Sequence, residues 1–199
     1  MSKFACWRGQ FVIELKPNLS GTTQKSLVLT IRPEESQDQE PVQHLNLAAF
    51  ENGPEATLVD VLRASCKEYL AFVAEEDGVV VGHILFTPVT VDGSNSVGMG
   101  LAPMAVLPSH QRKGVGSRLV RHGVGHLRQS GYPFVIVLGH PEFYPRFGFE
   151  PASRYRLVSQ WEGVPDEAFM VVVLDPDALP KRAGRRGIGT NLMTRCREC

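Results

Sequence analysis

The sequence predicts an α/β domain in which a mixed, mostly antiparallel sheet of about 6–7 strands, flanked by about four helices, contains one parallel strand–helix–strand unit. Three observations carry that expectation. Phe134–Leu138 reads FVIVL, a short and uniformly apolar run bounded by Pro133 and Gly139, as a strand buried on both faces should be. Before it, the pattern that opens at Gly114 and Gly116 puts Leu119, Val120, Val124 and Leu127 on one helical face, with Arg118, Arg121, His122 and Arg128 mostly on the other. An apolar run from Val97 to Val106 precedes that helix, and a strand, crossover helix and strand of this kind close as a right-handed parallel unit.

Residues 1–26 hold no sustained hydrophobic period and read as an N-terminal extension. Residues 27–175 form the expected domain. Leu27–Arg32, LVLTIR, is a β-branched run stopped by Pro33, which makes it the first strand. Asp38 is placed to cap a helix with Pro41 in its first turn and Val42, Leu45 and Ala49 on one face. A second helical pattern after Pro54 aligns Leu58, Val61, Leu62 and Ser65. Tyr69–Glu75 and Val79–Val89 flank Asp77-Gly78, a strong signal for an antiparallel hairpin. A turn at Asp92-Gly93-Ser94-Asn95 leads to the strand at Val97–Val106. Pro103 lies inside it and cannot donate to a ladder, so this strand should bulge or break its pairing there. After Phe134–Leu138, a short helix holding Phe143, Tyr144 and Phe147 should run into Gly148-Phe149, and Tyr155–Val158 and Ala168–Leu174 are the last strand candidates. Residues 176–199 read as a basic, structureless tail.

Composition narrows the function. The chain carries 21 basic and 21 acidic residues among 199, a balance that offers no electrostatic case for a nucleic-acid or membrane-surface partner. No apolar run is long enough to span a bilayer and no signal-peptide core is evident, so a cytoplasmic location is expected. The histidines show no metal-ligand spacing, and Cys196-x-x-Cys199 has no second ligand pair nearby, so no metal is expected. The oligomeric state, monomer or homodimer, is left open.

The stretch that carries chemistry is LAPMAVLPSHQRKGVGSRL, Leu101–Leu119. A strand turns at Pro108 and passes through a basic glycine loop into a helix. The first N–H groups of a helix lack intrahelical partners and sit at the positive end of its dipole, and glycines there let an anion approach the backbone. Arg112 and Lys113 add charge at that point. A P-loop would need Lys followed by Ser or Thr after its last glycine, whereas here the Lys precedes both glycines. A dinucleotide fingerprint would need Gly or Ala where Leu119 stands. Taken alone, the glycine pair fits either an anion site or an ordinary strand-to-helix turn. Arg186-Gly187-Ile188-Gly189 copies its spacing, yet too few residues follow for a helix and strand, and it is read as a chance match.

Val106, Pro108, Gln111-x-x-Gly114-x-Gly116 and Leu119 resemble the acyl-CoA pyrophosphate loop of the GNAT superfamily of N-acyltransferases. A second segment agrees in order and distance: Phe143-Tyr144-Pro145-Arg146-Phe147-Gly148-Phe149 resembles that family's Tyr-x-x-x-Gly-Phe segment. The interrupted strand also fits, because the family's fourth strand is bulged and splays from the fifth. The resemblance covers residues 27–175.

It implies an N-acetyltransferase moving an acetyl group from acetyl-CoA, its co-substrate, to a primary amine of a small molecule or protein in a ternary complex. Met104, Ala105 and Val106 would pair with the pantetheine amides through their backbone. Gln111, Arg112, Lys113, Gly114, Val115, Gly116 and Ser117 would hold the pyrophosphate. Tyr144 takes the position of the general acid to the leaving sulfur. No carboxylate occurs from Val97 to Val106, so the base is sought elsewhere, with His140 as the candidate for base or positioning group and Glu142 beside it. The alternative reading is a catalytically silent acyl-CoA-binding sensor or interaction module.

Overall fold

The computed structural model describes residues 28–51, 55–91, 96–159, 161–177 and 190–194. The extension at 1–26, the turn at 92–95 and Cys196-x-x-Cys199 lie outside them. The chain runs β1 (Leu29–Pro33), α1 (Gln39–Ala49), α2 (Glu55–Ser65), β2 (Leu70–Glu76), β3 (Val79–Val91), β4 (Val97–Val106), α3 (Val115–Gln129), β5 (Phe134–Leu138), β6 (Glu150–Pro151), β7 (Leu157–Val158), β8 (Phe169–Val173) and β9 (Thr190–Thr194). The sheet order is β1-β2-β3-β4-β5-β8-β6, with β4 and β5 parallel and its other neighbouring pairs antiparallel. Three α-helices are present among the described residues. The expected fourth is a 3-10 turn at Tyr144–Phe147, because Pro145 and Gly148 leave no room for a longer helix. No described helix is long and apolar enough to cross a membrane.

Alternation along the strands splits the core into two layers. One face packs Phe72, Ile84, Phe86 and Val137 against Leu119, Val120 and Leu127 of α3. The other carries two clusters. Val42 and Leu45 of α1 and Val59 of α2 cover Val73, Leu85 and Ala105, while Ala152 and Leu157 cover Phe134, Ile136 and Val171. The hairpin between β2 and β3 turns at Asp77 (φ 51°) and Gly78 (φ 83°), both left-handed, as a two-residue turn matched to strand twist requires.

Three local expectations are corrected. The buried side of α2 is Val59 and Leu62, whereas Leu58 and Val61 are 39% and 55% exposed. Arg63 decides this rotation: its guanidinium is drawn inward to Glu34 while also bonding Asp60. Asp38 precedes α1 but does not cap it with its side chain. Its carboxylate instead accepts the Glu35 N–H at 2.8 Å and two bonds from Arg32 at 2.6 and 2.9 Å. Finally, the backbone of Thr190–Thr194, within the supposed structureless tail, forms β9 beside the end of β3 and beside β7.

The strand that matters most is β4. Its register with β3 steps from Met104 opposite Ile84 to Leu101 opposite Phe86, so Ala102 and Pro103 together face Leu85. This is a bulge at the residue that cannot donate. On its other side β4 pairs with β5 at Met99–Leu101 alone, against Val135–Val137. Beyond the bulge the two parallel strands part.

Candidate active site

The parting of β4 from β5 gives Met104, Ala105 and Val106 one occupied edge and one open edge. On the occupied side they face Ile84, His83 and Gly82 of β3. On the other they have no strand partner among the described residues. Leu138, at the end of β5, is 51% exposed where β4 has left it.

The loop after β4 is held at its start and open at its end. Leu107 N–H donates to Val81 O at 3.0 Å, and Gln111 N–H donates to Leu107 O at 3.1 Å. The Gln111 side chain donates to Val106 O at 3.1 Å, so its amide braces the loop against the strand. Arg112 (φ 61°) and Gly114 (φ 86°) then turn the chain through left-handed conformations into α3. The Arg118 N–H makes the first bond of that helix, to Gly114 O at 3.0 Å. The N–H groups of Val115, Gly116 and Ser117 are left without intrahelical partners at the positive end of a 15-residue helix. Arg112 and Lys113 are exposed beside them.

The aromatic turn is anchored by a backbone group. His140 O accepts from Phe143 N–H at 3.0 Å and Tyr144 N–H at 3.4 Å, while the His140 side chain is exposed. Tyr144 is 6% exposed and packs edge-on against Phe143 and Phe149, with ring centroids 5.1 and 5.5 Å away. Burial pushes its phenol up to about 12, so it stays neutral and able to donate at any physiological pH.

Gly116 is where these three pieces meet. A Cβ placed there would lie 3.4 Å from Met104 Cε, 3.7 Å from Phe143 Cζ and 3.7 Å from Val106 Cγ2. The open edge of β4, the bare N-terminus of α3 and the aromatic turn therefore come together around Gly116, which has no side chain to fill the space between them.

Comparison with known proteins places this geometry. Residues 67–151 match the acetyltransferase (GNAT) domain model. The N-acetyltransferase YhbS of Escherichia coli K12 is 38% identical over 152 residues, 76% of this chain and 90% of that protein. The chain belongs to the GNAT acetyltransferase family. A crystal structure of E. coli YhbS in complex with CoA superposes with a TM-score of 0.75 at 35% identity, covering 87% of this chain and 93% of the other. A GNAT acetyltransferase from Brucella melitensis in complex with acetyl-CoA gives a TM-score of 0.62, also at 35% identity, over 75% of this chain and 90% of its own.

Within this GNAT fold the predicted site residues separate into two groups. Met104, Val106 and Phe143 meet at Gly116, with Ala105 on the same open edge of β4 and residues 112–117 leading into and opening α3. His140 supplies its carbonyl to the turn and leaves its ring at the surface. Among the described residues no three His, Cys, Asp or Glu side chains gather to hold a metal.

Sequence reasoning passed over three features. Phe143 faces Gly116, Gly139 lies against the Tyr144 ring, and a buried polar cluster sits behind β4. In that cluster His83, fully buried on β3, has its Nε2 3.7 Å from Glu34, which Arg63 also engages. Burial holds the His83 imidazole below its ordinary pKa against the opposing pull of Glu34. The missed signal was β3 itself, where His83 is the sole ionisable residue in VVVGHILFTPVTV.

Proposed function

We propose that this protein transfers an acetyl group from acetyl-CoA to a primary amine by direct attack within a ternary complex. The observation that carries this reading is the convergence at Gly116 of an unpaired strand edge, a bare helix N-terminus and Phe143, the neighbour in sequence of a buried, neutral tyrosine. Relatives crystallised with CoA and with acetyl-CoA support the choice of donor.

Each residue then has a defined task. The backbone of Met104, Ala105 and Val106 pairs with the pantetheine amides as an added strand would. The N–H groups from Arg112 to Ser117 hold the pyrophosphate, with the Arg112 and Lys113 charges beside it. Gln111 supports that loop through Val106 and does not spend its side chain on the ligand. The amine nitrogen attacks the thioester carbonyl, and its proton passes through water to the His140 ring, which is exposed. As the C–S bond breaks, charge gathers on sulfur and the Tyr144 hydroxyl donates a hydrogen bond to it. With a pKa of about 12, the phenol is a weaker acid than an ordinary thiol near 8.5. Tyr144 therefore stabilises the departing thiolate by hydrogen bonding more than by complete proton transfer.

Calorimetric titration with acetyl-CoA, with NADH and inorganic phosphate as controls, tests the donor site. Saturable binding that is lost in Gly116→Asp supports it. The contact distances at Gly116 are ordinary, and an acidic residue in a helix's first turn is stabilising, so this variant should fold. Thiol release with a panel of primary amines then tests transfer. A silent acyl-CoA sensor is the second reading, favoured by the absence of any ionisable side chain on β4 and β5. Binding without turnover in the presence of every amine would select it.

A further inference from the structure

A cleft of about 750 Å³ lies between α1 and the β2–β3 hairpin, on the side of the sheet away from α3. It shares no lining residue with the contacts around Gly116. Its volume suits a small organic molecule. Leu45 and Val80, 1% and 9% exposed, give it an apolar lining together with Leu107, and Val79 borders it while 57% exposed.

The polar wall of the cleft is a single network centred on Arg32. Nε of that guanidinium donates to Glu75 Oε2 at 3.0 Å. One terminal nitrogen donates to Asp38 Oδ2 at 2.6 Å and to Pro33 O at 3.2 Å, and the other to Asp38 Oδ1 at 2.9 Å and Glu75 Oε2 at 2.7 Å. A guanidinium has five N–H donors, so Arg32 keeps none for an anionic ligand. The Asp38 oxygens are spent on Arg32 and on the Glu35 N–H. Glu75 Oε1, by contrast, has no hydrogen-bond partner among the described residues. The exposed His44 ring, also in the lining, can accept as well. The wall therefore offers acceptors, and its two carboxylates outweigh its one guanidinium. The sequence around it has the same sign, with 11 acidic and 3 basic residues from Arg32 to Gly78. Charge complementarity then requires a ligand that brings N–H donors and positive charge on an apolar body.

Leu107 links this cleft to the loop before α3. Its side chain lines the cleft, its N–H donates to Val81 O at 3.0 Å, and its carbonyl accepts from His110 N–H at 2.8 Å and Gln111 N–H at 3.1 Å. Beside Glu75, Glu76 Oε2 lies 3.1 Å from His110 Nε2. A molecule seated against Leu107 and the hairpin thus bears on the residues that fix the start of that loop.

We infer that the cleft is an effector site for a small organic cation, a guanidinium or ammonium group on an apolar chain, with its charge at Glu75 and its chain along Leu45, Val80 and Leu107. Leu107 couples this site to the loop at 111–117. The coupling rests on the donor reading proposed above, and the cation site does not.

Calorimetry of the full chain with N-hexylguanidinium tests the assignment. A guanidinium stays charged at any physiological pH, so this probe cannot serve as an acetyl acceptor. Saturable binding with a Kd on the order of 0.1–1 mM is expected of a ligand of this size. Hexanoate, an anion of similar length, should bind at least about tenfold more weakly. Glu75→Gln removes the charge while keeping an acceptor for Arg32, and Val79→Lys sets a like charge at an exposed position. Each should weaken the cation about tenfold, the worth of one charge-assisted contact, and leave acetyl-CoA affinity within about twofold. Saturating acetyl-CoA should change the affinity for the cation by about threefold or more, and the reverse titration should give the same factor.

No saturable binding, hexanoate binding as tightly as the cation, or cation binding unchanged in both variants would overturn the site. Cation binding that acetyl-CoA leaves unchanged, in a protein that does bind acetyl-CoA, would overturn the effector role. Uptake of the cation without uptake of acetyl-CoA would overturn the donor reading and the coupling with it, and would support the cation site. Uptake of an arginine-rich peptide without uptake of hexylguanidinium would mark a protein-docking surface and overturn the small-ligand assignment.

Discussion

The ring of Tyr144 occupies the space in which any side chain at Gly139 would stand: a Cβ built on Gly139 falls 2.3 Å from Tyr144 Cε2. The glycine that follows β5 thus leaves room for the tyrosine five residues later. Gly139→Ala should displace the ring and destabilise the fold by about 1–3 kcal/mol, the usual cost of overpacking. Turnover should fall further than donor affinity, because Gly139 does not touch the loop at 112–117. Urea unfolding together with acetyl-CoA titration and thiol-release rates would separate these effects.

Tyr144→Phe removes the hydroxyl and keeps the ring that packs against Phe143 and Phe149. Turnover should fall roughly a hundredfold, as loss of a positioned hydrogen-bond donor to developing charge does, while acetyl-CoA affinity stays within about twofold. Because burial raises the phenol to about 12, the wild type should show no loss of activity from Tyr144 ionisation up to about pH 10.5. A rate profile in which the wild type and Tyr144→Phe differ equally at every pH from 7 to 10 is the expected result.

His83 should make stability depend on pH near neutrality. Its folded pKa is depressed by burial, so below the unfolded value of about 6.5 the unfolded chain binds the extra proton more readily than the folded one. Stability is therefore full above about pH 6.5 and falls as the pH drops, by up to about 1.4 kcal/mol per unit from this group. The charged and titratable neighbours are Glu34 and Asp38, which favour the proton, and Arg63, which opposes it. His122 shifts in the same direction, so the comparison of wild type with His83→Gln between pH 5 and 7.5 isolates the His83 share. Parallel curves for the two proteins would refute it.

Asp38 governs a lower window. Hydrogen bonds from Arg32, followed by the Glu35 N–H, hold its carboxyl below the ordinary value despite burial. This stabilisation is present above about pH 3.9 and is lost as pH falls through the folded pKa. Asp38→Asn should cost roughly 2 kcal/mol at pH 7, discounted because Arg32 is partly open to solvent. Denaturant midpoints at pH 7 and pH 3.5 should show the difference between the two proteins shrinking at the lower pH.

Elements whose signals are local were legible in the sequence. Pro103 announced the bulge in β4, Asp77-Gly78 the hairpin, and the period of Leu119, Val120, Val124 and Leu127 the buried face of α3. Gln111 to Gly116 could be read as an anion loop because its chemistry resides in backbone N–H groups that neighbouring residues expose. Tertiary structure decided whatever depends on partners distant in sequence. Glu34 lies 29 residues before Arg63, and their pairing turned α2 away from the face that its own apolar pattern suggested. Arg32 took the Asp38 carboxylate that local rules assigned to a helix cap. Thr190–Thr194 became a strand because the end of β3 and β7 offered open edges, which no pattern within five residues records. A residue's spacing fixes the face it can share with near neighbours, and the free energy of long-range contacts selects which face is used.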